Sequence, residues 1–221
     1  MCEADFHMHS VVSDGSATPQ MLVEVSRKRG LRVISVTDHN SFDGSVIASR
    51  YVRLKGYKEI IVLIGNEVRT NRGDVLLLCR DYPGTPPKRL EELLDFAEDM
   101  GCVAIPAHPF DLLRRGVGDW LDTILHRVSV IECYNACSPP KSNIKAAEYA
   151  RRNGLACIAC SDAHIPEYVG LFRTLLTIEV DSVDDVLEAL VKAKVKPIVA
   201  SVPLRLRLKR VIWSVRRRLH V

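Results

Sequence analysis

The chain has 221 residues, of which 47% are hydrophobic and 26% are charged, as in an ordinary folded and soluble protein with one sizeable core. We expect neither a signal peptide nor a transmembrane span, because the N-terminus lacks a basic stretch before an apolar run and no apolar run is bilayer-long. The net charge of +4 is uneven, since residues 189–221 carry ten lysines and arginines and no acid, which leaves −6 for residues 1–188. An acidic body with a basic end predicts metal ligands in the first part and an anionic partner for the second.

Strand-like and helical patterns alternate along the chain. An apolar run near residues 4–8 predicts the first strand, and a helix follows at 18–30, with Thr18 as its N-cap and Pro19 at its first position. The β-branched run 32–37 predicts a buried strand. The remaining predicted elements are, in order, a helix at 45–55, strands at 60–64 and 74–79, a helix at 86–100, a strand at 103–106, a short helix at 119–126, a strand at 128–133, a helix at 141–153, strands at 156–160 and 174–180, a helix at 182–193 and a strand at 197–200.

Repeated strand–helix units in one domain of this size predict a parallel sheet covered by helices. An open doubly wound sheet and a closed barrel both fit the pattern. Candidate metal ligands follow at least five of the predicted strands, and a barrel brings the carboxyl ends of its strands to one rim. The sequence therefore favours the barrel.

Seven cysteines are scattered through the chain without a paired spacing. Several lie in apolar runs, such as Cys79, Cys157 and Cys160. An odd number of cysteines inside strand-like segments predicts reduced thiols, and hence a cytoplasmic protein.

Histidine and acidic side chains recur at the predicted strand ends. His7 and His9 form H-x-H after the first strand, and residues two apart in a strand point to the same face. The other candidates are Asp14 in SDG, His39 in TDHN, Glu67 in GNEV, His108 in AHPF, and Asp162 and His164 in SDAH. Any one of these residues alone is more often a hydrogen-bonded polar side chain without a ligand. Eight imidazoles and carboxylates at strand ends together predict a divalent metal site.

Six motifs occur in the order HMH, SDG, TDHN, GNEV, AHP and SDAH over about residues 5–174, and through them the chain resembles the PHP (polymerase and histidinol phosphatase) family. It is most similar to the stand-alone PHP phosphoesterases, which include nucleotide phosphatases and 5′-to-3′ exonucleases. The resemblance implies an α/β fold, a distorted (β/α)7 TIM-like barrel that would occupy residues 1–203. It also implies two to three divalent metal ions, which in that family are manganese, zinc or iron.

The motif match implies a ligand set for each ion. The first ion would be held by His7, His9, Glu67 and Asp162, and the third by Asp14, His39 and His164. Glu67 would bridge the first ion to a second, which His108 also holds. The second ion normally has a further ligand, and no histidine of this sequence supplies it. The candidates are Asp74, Cys133 and Cys137.

The resemblance implies a metal-dependent hydrolase that attacks phosphoric ester bonds with a metal-bound hydroxide. His39 or His164 is expected either to act as general acid or to serve only as a metal ligand. The expected substrates are nucleotides, oligonucleotides or nucleic-acid 5′ ends, including single-stranded nucleic acid. Two other functions fit the same residues, namely a small-molecule phosphatase such as a histidinol-phosphatase-like enzyme, and a non-catalytic metal-stabilised binding module. The sequence has no G-x-S-x-G elbow and no Walker or dinucleotide-binding glycine motif that would indicate different chemistry.

Residues 204–221 form a basic amphipathic segment, which we treat as a unit separate from the barrel. Apolar residues at 204, 208, 211, 212, 215 and 219 follow a helical period, and Trp213 lies among the arginines and lysines. Three roles fit this pattern: packing on the barrel with the charges exposed, which is the default, contact with a nucleic-acid backbone, and binding to an anionic membrane surface. His126, in an amphipathic helical stretch, and His220, in the basic segment, lack ligand-like neighbours and are not expected to bind metal.

Overall fold

The structure, a computed structural model, describes residues 1–219, and the predictions made for His220 and for the end of the segment 204–221 lie outside it. The strands are β1 (Cys2–Asp5), β2 (Val33–Val36), β3 (Ile61–Arg69), β4 (Asp74–Cys79), β5 (Val103–Pro106), β6 (Val130–Asn135), β7 (Ala156–Cys160), β8 (Arg173–Leu176) and β9 (Val195–Ile198). The α-helices are α1 (Pro19–Lys28), α2 (Asp43–Lys55), α3 (Leu90–Asp99), α4 (Leu121–Ile124), α5 (Pro140–Asn153), α6 (Val183–Val191) and α7 (Leu204–Leu219).

Side-chain caps set several helix ends. The Thr18 hydroxyl accepts the N–H of Met21 at 3.2 Å, so α1 begins where the sequence predicts. By contrast, α3 begins at Leu90 rather than at residue 86, because the side-chain oxygen of Asn71 accepts the Leu90 N–H at 3.0 Å. The predicted helix 119–126 is also interrupted, with only four α-helical residues between two short 3-10 turns.

Seven strands form one sheet in the order β5-β4-β3-β2-β1-β8-β9, and β6 pairs with β7 in a separate two-stranded sheet. The large sheet curls strongly into a half-barrel, which confirms the predicted α/β class and the distorted barrel of the PHP type. The prediction of a wholly parallel sheet is wrong, because four of the pairings, β3–β4, β4–β5, β1–β8 and β8–β9, are antiparallel. A tight turn explains the first of them. The Thr70 N–H donates to the Gly73 carbonyl at 3.0 Å, and a connection this short can join only antiparallel strands.

Four of the seven cysteines form disulfides, so the prediction of reduced thiols is wrong for these four. Cys79 pairs with Cys102, and Cys133 pairs with Cys157. Both pairs join neighbouring strands, β4 with the residue before β5 and β6 with β7, which brings their Cα atoms to 4.3 and 5.2 Å. The pairing depends on strand order, which the cysteine spacing does not encode.

Buried aliphatic side chains from the strands and helices form the core. Leu63, Leu76 and Ile105, from three neighbouring strands, are fully buried in one cluster. Leu90 and Leu93 of α3 pack in another, on residues of β3 and β4. Within residues 1–219, no helix combines the length and the apolar character that crossing a bilayer requires. The division into a barrel at 1–203 and a separate segment at 204–221 stays a prediction.

Candidate metal centre

The turn after β1 carries the first three predicted residues. His7 and His9 follow β1 and are fully buried, and Asp14 lies at the far end of the turn. Gly15 allows the turn to close, because a Cβ at this position would lie 2.0 Å from the carbonyl oxygen of His9. The SDG motif is therefore needed to fold Asp14 back towards the histidines.

Glu67 lies at the centre of the histidine cluster. Its Oε2 is 3.4 Å from His7 Nε2, 3.3 Å from His9 Nε2 and 2.9 Å from His39 Nδ1. Its Oε1 is 3.0 Å from Nε2 of His108. Three separate parts of the chain thus place four imidazoles around one carboxylate, which is 1% exposed.

Two aspartates extend the cluster. Asp162 Oδ1 lies 3.2 Å from His9 Nε2 and 3.4 Å from His164 Nδ1. Asp14 Oδ1 lies 3.2 Å from His164 Nε2 and 3.7 Å from His9 Nδ1. The structure therefore brings all eight predicted residues into one continuous cluster.

The carboxylates draw positive charge onto the buried histidines. Burial alone would lower the pKa of His9, but the carboxylates of Asp162 and Glu67, 3.2 and 3.3 Å from its Nε2, raise that pKa to about 9. Burial likewise opposes ionisation of Glu67 and Asp162. The positive charge of His7 nevertheless holds the pKa of Glu67 well below its ordinary range, and the positive charge of Arg114 does the same for the pKa of Asp162. The site is electrostatically suited to hold cations.

Six buried atoms of the cluster make no hydrogen bond of acceptable geometry within residues 1–219. They are Nδ1 of His9, His39 and His108, Oδ1 of Asp14 and Asp162, and Oε2 of Glu67. Buried polar atoms without partners are costly, and a bound cation would satisfy them. Among the sets of side chains whose potential ligand atoms lie within 4.8 Å of one another, three contain only residues of the eight: His9 with Asp14, His39 and His164, His7 with His9 and Asp162, and His7 with Glu67 and His108. Imidazole and carboxylate groups in such sets fit divalent metal ions.

The structure distinguishes among the three candidates for a further ligand of the second ion. Cys133 is in a disulfide and offers no thiolate, so this prediction is wrong. Cys137 lies beside Asp162, with its Sγ 3.2 Å from that residue's carbonyl oxygen. Asp74 is buried and groups with His39 and Glu67. Burial raises its pKa and the nearby Glu67 charge raises it further, against the opposing effect of the Arg69 guanidinium, which lies 3.4 Å from Asp74 Oδ1.

Glu132 is a fully buried acid in β6 that sequence reasoning missed. Its Oε1 is 3.0 Å from Nδ1 of His7, and its Oε2 accepts the His108 N–H at 2.7 Å and the Asn135 amide at 3.1 Å. A carboxylate can only accept, so His7 carries its proton on Nδ1 and turns Nε2 towards the cluster. The acid inside the apolar run VIEC was the available signal.

Asp38, in the TDHN motif, is a second buried acid whose role was not predicted from the sequence. It is fully buried and accepts from the Ser10 N–H and the Ser10 hydroxyl, both at 2.7 Å, and from the Ser13 hydroxyl at 2.6 Å. These bonds link the end of β2 to the turn that carries Asp14. Asp38 therefore positions the turn, while the next residue, His39, faces the cluster.

A cavity of about 230 Å³ opens onto the cluster. Its walls include Asp14, His39, Asp74, His108 and His164, together with Arg69, Arg114 and Arg115 from the barrel and Arg210, Arg217 and Arg218 from α7. Two contacts attach α7 to this wall. Trp213 Nε1 donates to the Asp14 carbonyl at 3.2 Å, and Arg217 Nη2 is 3.3 Å from Asp14 Oδ2. The cavity thus combines a ligand cluster with arginines that can bind an anion.

Three sequence similarities connect this chain to known proteins. A family model described as PHP-associated matches residues 140–195. An uncharacterized protein of Methanocaldococcus jannaschii is 30% identical over 148 residues, which are 60% of this chain and 83% of that protein. The chain belongs to the PHP family. An error-prone DNA polymerase of Mycobacterium tuberculosis is 31% identical over 129 residues, which are 52% of this PHP chain but 11% of the polymerase.

The fold of this PHP chain is also found among solved structures. A two-domain protein of Bacteroides vulgatus, which contains a predicted PHP-like metal-dependent phosphoesterase, aligns with a TM-score of 0.75 and 20% identity. The alignment covers 90% of this chain and 64% of that protein. At this level of identity the likeness shows a shared fold.

Proposed function

We propose that this PHP chain is a metal-dependent phosphoesterase that hydrolyses phosphate esters of nucleotides, oligonucleotides or nucleic-acid 5′ ends. The observation that carries the proposal is the cluster of eight histidine and acidic residues, six of them with a buried atom that lacks a hydrogen bond, on the wall of an arginine-lined cavity. A non-catalytic module would not need a substrate-sized opening onto such a cluster.

The residues would hold two to three divalent ions, manganese, zinc or iron. The first set is His7, His9, Glu67 and Asp162, the second is Glu67, His108 and Asp74, and the third is Asp14, His39 and His164. When bound, such ions lower the pKa of a coordinated water and neutralise charge on phosphoryl oxygens. In the second set Asp74 is our choice because it is buried within ligand distance of Glu67, whereas Cys137 lies beside Asp162.

The arginines at the cavity mouth would orient the substrate. Arg114 is 2.5 Å from Asp162 Oδ2, and its side chain reaches the cavity with the charge that a phosphoryl oxygen requires. His39 and His164 are the histidines of the cluster that reach solvent, with 19% and 12% of their side chains exposed. Whichever of the two does not bind the third ion would therefore be placed to deliver a proton to a leaving oxygen, whereas the fully buried His7 and His9 would not.

The size of the opening limits the substrate. A volume of about 230 Å³ takes a phosphate with a small organic group or a chain end, and not the middle of a duplex. The partial similarity to a DNA polymerase supports a nucleotide or nucleic-acid end. The same small volume supports, as a second candidate, a small-molecule phosphatase of the histidinol-phosphatase-like kind.

A screen of the metal-reconstituted protein tests the proposal. The substrates are a phosphomonoester such as p-nitrophenyl phosphate, a phosphodiester, mononucleotides and single-stranded oligonucleotides with and without a 5′ phosphate. We expect hydrolysis that requires added divalent metal and is lost in Asp162→Asn. The matched control is His126→Gln, a histidine outside the cluster, which should retain full activity. Metal binding without turnover of any substrate would instead identify a binding module.

A further inference from the structure

A stripe of aliphatic side chains runs along the outer face of α7. We call it the outer stripe, and it consists of Leu204, Leu208, Val211, Ile212, Val215 and Leu219, which are 50–75% exposed. At 3.6 residues per turn, these positions fall within about 100° of the helix circumference. They make up six of the nineteen large hydrophobic side chains exposed within residues 1–219, although α7 has only 16 residues. Such a concentration marks an interaction surface.

The opposite face of α7 is fixed to the barrel, so the stripe cannot turn inward. Leu206 and Trp213 pack on the core, and Arg217 pairs with Asp14. Arg207 Nε donates to a carbonyl oxygen before the helix at 3.2 Å, and Lys209 forms an ion pair with the body. The helix thus packs on the barrel through Leu206 and Trp213, whereas the six side chains of the outer stripe do not pack there. Acidic and carbonyl oxygens around Asp14 bind the basic, aromatic side instead, and this leaves the apolar side in solvent.

Cations border the outer stripe on both sides. On the helical wheel Arg205 and Arg216 lie along one edge and Arg218 along the other, while Lys209 and Arg207 at the same edges are bound to Glu167 and to the Val202 carbonyl. The helix contains seven arginines and lysines and no acid. Its apolar surface therefore lies between two rows of positive charge.

We propose that the outer stripe of α7 binds the surface of an anionic lipid bilayer. An amphipathic helix with an aliphatic face and flanking cations lies in the interface plane, with its side chains among the acyl chains and its cations at the headgroups. Long arginine and lysine side chains on both edges can reach the same plane of phosphates while their stems cover apolar surface. Electrostatic attraction and apolar burial then act together.

Other occupants fit the surface less well. A second copy would bring another helix with seven cations and no acid against the first, and the like charges would repel each other. A nucleic-acid backbone would satisfy the cations but would leave the six aliphatic side chains without an apolar partner. Only a surface that is both anionic and apolar beneath its charges meets both requirements.

Membrane binding would also fix how far the metal centre lies from the bilayer. The face of α7 opposite the stripe contributes Trp213 and Arg217 to the cavity wall. The cavity would then lie about 10 Å from the bilayer surface, which is one helix diameter. This inference does not depend on the proposed hydrolase activity, because it concerns the outer face of the helix.

Vesicle co-sedimentation of the full chain tests the proposal. We expect binding to vesicles of 70% phosphatidylcholine and 30% phosphatidylglycerol, at least about tenfold stronger than to pure phosphatidylcholine, and weaker at high salt. The double variant Leu208→Ser with Val215→Ser should lose at least about tenfold of this binding, because both side chains lose their apolar burial. The control is Leu54→Ser with Val191→Ser, which removes two side chains of other helices that are at least as exposed as Leu208 and Val215, and it should bind as the parent does.

Several results would overturn the proposal. One is an absence of binding to anionic vesicles by the parent protein, and another is equal binding by the Leu208 and Val215 variant. Self-association in sedimentation velocity that disappears in this variant would assign the stripe to a second copy. Oligonucleotide binding that falls with the same two changes would assign it to nucleic acid. Circular dichroism and hydrolysis of p-nitrophenyl phosphate should be the same in parent and variant, which separates loss of the surface from loss of the fold or of the site.

Discussion

Glu132→Gln is the substitution whose effect follows most directly from the geometry. The change keeps the shape of the side chain and removes its charge. In the protein, one carboxylate oxygen faces the ring N–H of His7 at 3.0 Å, and the other accepts from the His108 N–H at 2.7 Å and the Asn135 amide at 3.1 Å. Three donors thus face a group that only accepts.

Glutamine has one oxygen for these three donors. If the oxygen stays with His108 and Asn135, the new NH₂ group faces Nδ1 of His7. His7 must then accept at Nδ1 and carry its proton on Nε2, the atom that lies 3.1 Å from His9 Nε2 and points into the cluster. Changes to a group that orients a ligand histidine lower metal affinity by about 10- to 100-fold. This range corresponds to about 1.4–2.8 kcal/mol.

Chelator competition with apo protein measures the affinity for manganese and zinc directly and does not require a known substrate. Thermal unfolding of the apo form checks that the variant folds. Glu148→Gln, which neutralises an exposed acid on α5, is the matched control and should bind metal as the parent does. A folded Glu132→Gln protein whose metal affinity stays within about twofold of the parent would refute the role assigned to Glu132.

Three further predictions use other measurements. Glu67→Ala should reduce turnover by at least about a hundredfold, and by more than His108→Ala does, because Glu67 contacts four histidines. If steady-state kinetics show equal losses of turnover in the two variants, Glu67 does not bridge two ions. The pKa of His9 is raised to about 9 in the folded apo protein, so protonated His9 stabilises the fold below about pH 6.5 and this stabilisation is lost as the pH rises through about 9. Denaturant unfolding should show that the free energy of unfolding falls by up to about 3 kcal/mol over this range, and a His9→Gln variant should not show this fall. Alkylation in denaturant should label three thiols without reductant and seven with it, whereas seven in both cases would contradict the disulfides.

Local patterns were sufficient for much of the secondary structure. The strands at 74–79, 103–106 and 156–160 have the predicted bounds, because each is a short apolar run whose burial keeps it extended. The helical period of the last segment likewise predicted a helix that spans Leu204–Leu219. The direction of each strand could not be predicted from local patterns. The hairpin between β3 and β4 depends on a turn of a few residues that the alternating pattern does not distinguish from a helical crossover.

Motif order was sufficient to predict which eight residues lie together in the cluster. His7, His39, Glu67 and Asp162 lie far apart in the chain, and the structure brings them together because the residues that follow β1, β2 and β7 meet Glu67 of β3. The apolar run VIEC marks Glu132 as a buried acid, but it does not show which residues Glu132 contacts. An acid inside a strand becomes informative only when its partners across the sheet are known.

The sequence by itself determined the barrel class, most element positions and the eight residues of the cluster, since each of these depends on local hydrophobic periodicity or on motifs at strand ends. Only the tertiary structure decided which strands run antiparallel, which cysteines pair and which face of α7 meets the barrel. Each of these depends on contacts between residues distant in the chain. For α7 the amphipathic pattern alone favoured burial of the aliphatic side, but the ion pair and hydrogen bond at Asp14 bind the basic, aromatic side and turn the aliphatic side outward.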